Sequence, residues 1–237
     1  IGDAIGILGW DTQTMMPKGA ADARAEQTAT LSVLAHDLMT APAMADLLGR
    51  AEADGGLDDW QAANLREMRR AHRHATALPA DLVEATSRAV SLCDMTWRTA
   101  RAESDFARLL PSLAEVLRLT REGAVAKGEA LGLAPYDALL DVYEPYATTA
   151  DMALLFAALR PALVSLLDRI RGAARRPDPA LLTRPVPPAA QEAFCRKVAA
   201  AIGYDFSAGR LDRTAHPFAT RIAPGDTRIT TRFREDH

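Results

Sequence analysis

Two arginines and one threonine close to the C-terminal end are spaced so that they could bind an anion together. Arg228, Thr230 and Arg232 alternate with apolar or β-branched residues, so a β-strand would carry their three side chains on one face. Guanidinium groups bind carboxylates and other anions through paired hydrogen bonds. Two interpretations stay open: a receptor for a carboxylate or another anion, and a strand with one solvated face, which the spacing alone favours.

Other residues of the same segment could hold these groups in place. Asp226 stands two residues before Arg228, so on a strand its carboxylate could pair with that guanidinium and fix its orientation. His216 precedes Pro217, which favours extended backbone for the residue before it, so the imidazole and the ring of Phe218 would point in defined directions. Residue types alone leave open whether these groups serve a ligand or only lock the segment onto its surroundings.

The segment that carries these residues has the pattern of a β-hairpin in an otherwise helical chain. Pro224-Gly225 is a turn signal between two β-rich runs, which predicts a hairpin over about residues 214–233. Upstream, apolar residues recur at helical spacing, most clearly from Leu82 to Ala100. We therefore predict a mostly α fold, a multi-helix antiparallel array with one late β-hairpin that needs a further surface behind it.

Proline content suggests how the chain is divided. Five prolines lie within residues 175–188, which makes this stretch the best candidate for a linker. The predicted organisation is a helical region over residues 1–174, the linker, and a final region over residues 189–237 that holds the last helix and the hairpin. In that last helix, Phe194, Val198 and Ile202 are predicted to face inward.

Composition argues against several classes of function. The net charge is −3 and aromatic residues are 5% of the chain, which with no basic block argues against a nucleic-acid surface. No apolar run is expected to approach the length of a membrane span, so no membrane association is predicted. Cys93 and Cys195 give no disulfide framework. They indicate a reducing compartment, and we expect a cytoplasmic protein.

The histidines do not show the spacing of a metal site. His72 and His74 are two residues apart, so on a helix they point in different directions. The arginine-rich run around them predicts a solvated helix face, with an anion patch as the alternative. The sequence also contains no P-loop, dinucleotide fingerprint or C-x-x-C pair.

Short motifs occur along the chain in a fixed order. They are Trp10-Asp11, Met16-Pro17, Tyr136-Asp137-Ala138-Leu139-Leu140-Asp141, Tyr143-Glu144-Pro145, Gly203-Tyr204-Asp205-Phe206, His216-Pro217-Phe218, and Asp226, Arg228 and Thr230. This ordered set resembles the M32 metallocarboxypeptidases, the carboxypeptidase Taq family. One departure is Tyr146, since the family usually has glycine directly after the proline that corresponds to Pro145; this change could alter the local turn.

The resemblance implies a metal-dependent carboxypeptidase that removes C-terminal amino acids from peptides, with zinc as the expected divalent ion and a homodimer as the intact form. The family's H-E-x-x-H zinc motif follows the strand of Asp226, and this sequence contains no such motif. We therefore interpret the chain as the N-terminal portion of such an enzyme, with no catalytic residue or bound metal of its own and inactive alone. The substrate-groove candidates that the resemblance implies are His216, Pro217, Phe218, Asp226, Arg228 and Thr230.

A non-catalytic helical module that binds a partner through the same fold is the alternative hypothesis. The missing zinc motif favours this alternative. The helical pattern already under way at Ile1 favours the enzyme portion, because a small independent domain is expected to close its elements.

Overall fold

Helices dominate the computed structural model, which describes residues 1–176, 178–181 and 184–235. Within this part of the chain the helices are α1 (Gly2–Thr14), α2 (Ala21–Thr40), α3 (Pro42–Glu52), α4 (Asp59–Thr76), α5 (Ala80–Glu103), α6 (Phe106–Leu131), α7 (Pro135–Leu140), α8 (Thr149–Gly172) and α9 (Pro188–Ala201). The strands are β1 (Gly209–Arg213), β2 (Ala219–Ala223) and β3 (Asp226–Thr231). The prediction of a mostly α fold is confirmed.

Internal contacts group the chain into two compact units. One unit comprises residues 19–161, and the other combines residues 1–18 with residues 162–237. The predicted division into residues 1–174, a linker over 175–188 and residues 189–237 stays a prediction.

The unit of residues 19–161 is built on three long helices. α2 packs against α5, and α5 packs against α6. Ala25 and Ala29 of α2 are almost completely buried, because small side chains at a helix contact allow the two helix axes to approach. Leu82 and Ala100, at the two ends of the predicted apolar stripe, are also buried, so the stripe coincides with a packed face of α5.

A buried carboxylate joins α4 to the segment after α7. Asp141 accepts hydrogen bonds from Nε2 of His74 at 2.6 Å and from the backbone N–H of Tyr146 at 2.7 Å. Arg70 donates to the carbonyl oxygen of Asp141 at 2.7 Å, and lies 3.4 Å from its carboxylate. Burial acts to raise the pKa of Asp141, but the bonds from His74, Tyr146 and Arg70 outweigh burial and lower the pKa below its usual value.

Tyr146, at the position where the family usually has glycine, adopts the backbone conformation that glycine would adopt. Its φ is +69°, a left-handed conformation that costs an ordinary residue about 1–2 kcal/mol. The N–H group of Tyr146 is bonded to Asp141, and its hydroxyl donates to Oε1 of Glu67 at 3.3 Å. These two bonds hold the strained residue, so the departure from the motif leaves a glycine-like backbone in place.

The sheet belongs to the other unit and contains the predicted hairpin. The strand order is β1-β3-β2, with β1 parallel to β3 and β2 antiparallel to it. Gly225 has a φ of +82° in the turn between β2 and β3, which glycine adopts without a steric penalty. α1 packs against β2, where Ile222 is buried, so a helix supplies the surface that the hairpin needs.

Strand β1 corrects the prediction that strands are confined to residues 214–233. Gly209–Arg213 lie before that range, and they pair in register with Thr227–Thr231. Glycine, arginine and aspartate are not strong strand formers, so the local composition of β1 gives little signal. Its partner β3 follows only after β2 in the chain, and such a non-local pairing leaves no local pattern.

Exposed apolar side chains on α9 and on α8 correct two expectations from the sequence. Phe194 and Val198 of α9 and Ile202 just after it are 65%, 42% and 82% exposed, whereas the periodicity predicts that they face inward. By length and composition alone, α8 could cross a membrane, with a mean hydropathy of 1.7 over its most apolar stretch and none of that stretch buried. The expectation that no apolar run reaches this length is therefore wrong.

Candidate functional site

Trp10 of α1 is the residue on which two arginines of the sheet stack. Its side chain is buried, with 7% exposure. The guanidinium carbon of Arg228 lies 4.1 Å from the ring centroid of Trp10, and that of Arg210 lies 4.8 Å from it. A cation over an indole face is attracted by the ring's quadrupole. We call Trp10, Arg210, Asp212, Asp226 and Arg228 the Trp10 cluster.

Each arginine of the Trp10 cluster forms a two-point ion pair with an aspartate two residues away. Arg228 donates from Nε and Nη2 to the two carboxylate oxygens of Asp226, at 2.9 and 2.7 Å. Arg210 donates from the same two nitrogens to Asp212, at 2.8 Å each. The hydrogen bonds from Arg228 are the main reason why the pKa of Asp226 is lowered from its usual value, so this pair is charged near neutral pH.

Because Arg228 is paired with Asp226, only part of its guanidinium group can donate hydrogen bonds to a ligand. One edge of its guanidinium is occupied by Asp226, and its side chain is only 15% exposed. Its Nη1 group makes no hydrogen bond to any residue in the part of the chain that the structure describes. Arg232 lies beyond the end of β3 and donates to the carbonyl oxygen of Ala215 at 3.4 Å. Of the two arginines in the anion-receptor interpretation, only Arg228 lies within β3, and only the outer edge of its guanidinium is left for a ligand.

Thr230 fixes the backbone of Phe218. Its hydroxyl accepts a hydrogen bond from the Phe218 N–H at 2.8 Å and lies 2.9 Å from the Phe218 carbonyl oxygen, to which it can donate. The Thr230 N–H also donates to that carbonyl, at 2.8 Å. Thr230 is buried, with 7% exposure, so these bonds are shielded from competing water. The structure thus joins the Asp226-to-Thr230 motif to the His216-to-Phe218 motif.

His216 and Pro217 are placed differently from the buried candidates. Both side chains are exposed, and His216 makes no hydrogen bond or ion pair with another described residue. The residue two positions earlier is anchored, because the buried Thr214 donates from its hydroxyl to the carbonyl oxygen of Gln13 at 3.0 Å. The imidazole therefore projects from a segment that is fixed on both sides, at Thr214 and at Phe218.

The pairing of β1 with β3 depends on close contact at Gly209. The Tyr204 hydroxyl donates to the carbonyl oxygens of Thr227 and Arg210, at 2.5 and 3.2 Å. A side-chain carbon built on Gly209 would lie 2.2 Å from that hydroxyl oxygen and 2.3 Å from the Thr227 carbonyl oxygen. Glycine is therefore required here, and Tyr204 joins the last family motif before the sheet to the strand that carries Arg228.

Sequence reasoning singled out Asp226 and Arg228 but missed their neighbours. Trp10 was named only as part of a family motif, and Arg210 and Asp212 received no role. One signal was present: Arg210 and Asp212 have the same two-residue spacing as Asp226 and Arg228, in reverse order, and such spacing puts two side chains on one face of a strand. No sequence signal placed Trp10 beside the sheet.

The described residues do not provide the ligands of a metal centre. In residues 1–176, 178–181 and 184–235, no three side chains of histidine, cysteine, aspartate or glutamate come together as metal ligands do. The nearby aspartates of the Trp10 cluster are each bound to an arginine, which leaves them poor ligands for a cation. We therefore assign no reaction step to a metal held by these residues.

Comparison with known proteins gives a consistent match. The family model for carboxypeptidase Taq (M32) metallopeptidases matches residues 1–237. Thermostable carboxypeptidase 1 of Thermus thermophilus is 42% identical over 240 residues, which cover 97% of this chain and 47% of that protein.

Solved structures agree with the sequence match. The crystal structure of BsuCP has a TM-score of 0.91 at 28% identity, over 99% of this chain and 47% of that one. The M32 carboxypeptidase from Deinococcus radiodurans has a TM-score of 0.79 at 36% identity, over 99% of this chain and 47% of its own. This chain thus spans about half the length of the relatives that it matches, and it belongs to the carboxypeptidase Taq (M32) metallopeptidase family.

Proposed function

We propose that this chain is part of a metal-dependent carboxypeptidase that removes C-terminal amino acids from peptides. Zinc is the expected divalent ion, and a homodimer in the cytoplasm is the expected form of the intact enzyme. The family match over residues 1–237 carries this proposal. The chemistry of hydrolysis, polarising the scissile carbonyl and activating a water molecule, would be supplied by the metal and its ligands, which the described residues do not provide.

The role proposed for this chain is to bind and orient the peptide. Arg228 is held by Asp226 on one edge and by the Trp10 ring on one face, so little conformational entropy remains to be lost when a ligand binds. Its Nη1 edge can donate to a carboxylate or to a peptide carbonyl oxygen. Phe218, whose backbone is fixed by Thr230, and the exposed His216 and Pro217 would form a wall beside the substrate.

Replacing Arg228 with alanine in an enzyme of family length that contains this chain should lower kcat/KM for a peptide substrate at least tenfold. This ratio corresponds to about 1.4 kcal/mol of transition-state stabilisation, and losing a hydrogen bond to a charged group generally costs at least that much. The measurement is steady-state hydrolysis of an N-blocked dipeptide. Arg221→Ala is the matched control, because Arg221 is exposed on the neighbouring strand β2 and should leave kcat/KM unchanged.

Arg228→Lys separates orientation from charge. Lysine keeps the positive charge but cannot form the two-point pair with Asp226, so most of the loss should persist. Unchanged kinetics in Arg228→Ala together with a lowered melting temperature would show that the Trp10 cluster only stabilises the fold.

The chain alone is expected to be inactive and to bind no stoichiometric metal. The sequence contains no H-E-x-x-H motif, and a hydrolytic metal site needs at least three protein ligands. Metal analysis of the purified chain after incubation with zinc, together with release of amino acids from the blocked dipeptide, tests this expectation. Equimolar tightly bound zinc with turnover would contradict it.

A helical module that binds a partner without catalysis is the second candidate function. The observation that favours it is the amount of apolar helix surface left exposed, above all on α8. The two candidates differ in one measurement: a module should retain its binding when Arg228 is replaced, and no complex that contains it should hydrolyse peptides.

A further inference from the structure

Seven apolar side chains of α8 form one stripe along the helix. Projected at 3.6 residues per turn, these seven fall within an arc of about 120°, whereas Leu154 and Val164 fall outside it. The stripe consists of Leu155, Phe156, Leu159, Leu163, Leu166, Leu167 and Ile170, each at least 43% exposed. It extends for about 22 Å along the helix axis, from the rise of 1.5 Å per residue. We call this set the α8 stripe.

Polar residues of α8 lie outside the arc of the stripe. They are Asp151, Arg160, Ser165, Asp168, Arg169 and Arg171. A helix that spans a bilayer is surrounded by lipid and is apolar on all sides, because charged groups in the hydrocarbon region are costly. A helix that lies on a membrane surface carries a strongly basic polar face, whereas two aspartates here offset three arginines. The pattern is that of a helix covered on one side by protein.

The surface that needs covering is larger than one helix face. The described chain exposes 15885 Å², whereas two separate folded bodies of the sizes of the two units would expose about 12,500 Å² together. The excess of roughly 3,400 Å² is about four times what one partner buries in a standard protein interface of about 800 Å² per side. Pairing of two α8 stripes in a dimer would cover only a small part of this excess.

We propose that the α8 stripe is the docking surface for the half of the M32 fold that this chain does not span. The relatives contain about as much polypeptide again as the part that matches, since the chain covers 47% of the Thermus protein and 47% of the BsuCP structure. A partner of that size is large enough to cover the excess surface, whereas a second α8 is not. This inference rests on the proposed function only in taking the chain as part of a family-length protein.

Co-expression tests the proposal. The chain is expressed together with an affinity-tagged polypeptide that comprises the half of Thermus thermophilus carboxypeptidase 1 outside the matched region, and capture of the chain is quantified. We expect a complex of one chain with one tagged polypeptide. Replacing Leu159 and Leu163 together with glutamate should lower the captured amount at least tenfold, because two charges would be buried without partners.

Leu154→Glu is the matched control. Leu154 is 73% exposed on the same helix, but the helical period places it opposite the α8 stripe, so capture should stay within twofold of the unsubstituted chain. Circular dichroism of the purified variants shows whether the helices are intact. Hydrolysis by the captured complex is recorded separately, so an inactive complex with stripe-dependent capture contradicts the proposed function and supports the docking surface.

Three results would overturn the docking proposal. The first is no capture of the unsubstituted chain, or equal capture of the Leu159 and Leu163 variant. The second is a stable dimer of the chain alone in sedimentation equilibrium that this variant abolishes, which would assign the stripe to a second copy. The third is sedimentation of the chain with phosphatidylcholine and phosphatidylglycerol vesicles that the same variant abolishes, which would assign the stripe to a membrane.

Discussion

Asp141→Ala should lower the free energy of unfolding of the unit of residues 19–161 by about 3 kcal/mol, the lower end of the range for removing one partner of a buried ion pair. The loss leaves three donors without their acceptor: Nε2 of His74, the N–H of Tyr146 and, in part, Arg70. Arg70 keeps Glu67 at 2.9 Å, which limits the cost. Urea denaturation followed by circular dichroism measures the effect.

The backbone of Tyr146 adds to the stability that is lost in Asp141→Ala. Its left-handed backbone is held by the bond from its N–H group to Asp141. Without that bond, the turn after Pro145 can relax and release the hydroxyl contact to Glu67. Asp46→Ala is the control, because Asp46 is exposed on α3 and a surface substitution is usually within about 0.5 kcal/mol of neutral. Equal effects of the two substitutions would contradict a structural role for the buried carboxylate.

Because Asp141 is ionisable, its contribution to the free energy of unfolding depends on pH, and the sign of this dependence follows from its pKa. The pKa of Asp141 is lowered in the folded state from its usual 3.8, so its ionised form stabilises the fold above that pH. This contribution is lost as the pH falls below 3.8 and through the folded-state pKa. The difference in stability between the unsubstituted chain and Asp141→Asn should therefore shrink on acidification from about pH 5 towards pH 3.

Local patterns were sufficient for the helices and for the turn of the hairpin. The apolar spacing from Leu82 to Ala100 reports one packed face of α5, because the helical period alone determines which residues share a face. Pro224-Gly225 likewise specifies a turn through the backbone preferences of two adjacent residues. The pairing of Asp226 with Arg228 could also be predicted from a local pattern, since residues two apart on a strand share a face.

Contacts between distant parts of the chain were not accessible from the same patterns. Trp10 meets Arg228 only because α1 packs on a sheet formed more than two hundred residues later, and neither residue type encodes that meeting. β1 was missed because its partner β3 is separated from it by β2. Apolar periodicity also identified a face on α9 without showing what covers it, so Phe194 was predicted inward and is exposed.

Gly209→Ala should destabilise the unit that contains the sheet by about 3 kcal/mol, the upper end of the usual range for overpacking a filled site. The added carbon would lie 2.2 Å from the Tyr204 hydroxyl oxygen and 2.3 Å from the Thr227 carbonyl oxygen. A side chain can rotate away, but the carbonyl belongs to the β3 backbone that pairs with β1. Relief therefore requires separating the two strands, which also moves Arg210 and Arg228 relative to Trp10.

Two further variants separate these causes. Gly9→Ala is the matched control in α1, where no atom lies within 4 Å of the added carbon, so it should stabilise by about 0.5–1 kcal/mol as glycine-to-alanine changes do inside helices. Tyr204→Phe removes the hydroxyl but keeps the ring carbon Cζ, 2.7 Å from the added carbon, and the carbonyl of Thr227, so adding it to Gly209→Ala should restore only a small part of the loss. Full recovery in the double variant, measured by thermal denaturation, would show that the strand backbone tolerates the extra carbon and that only the tyrosine opposed it.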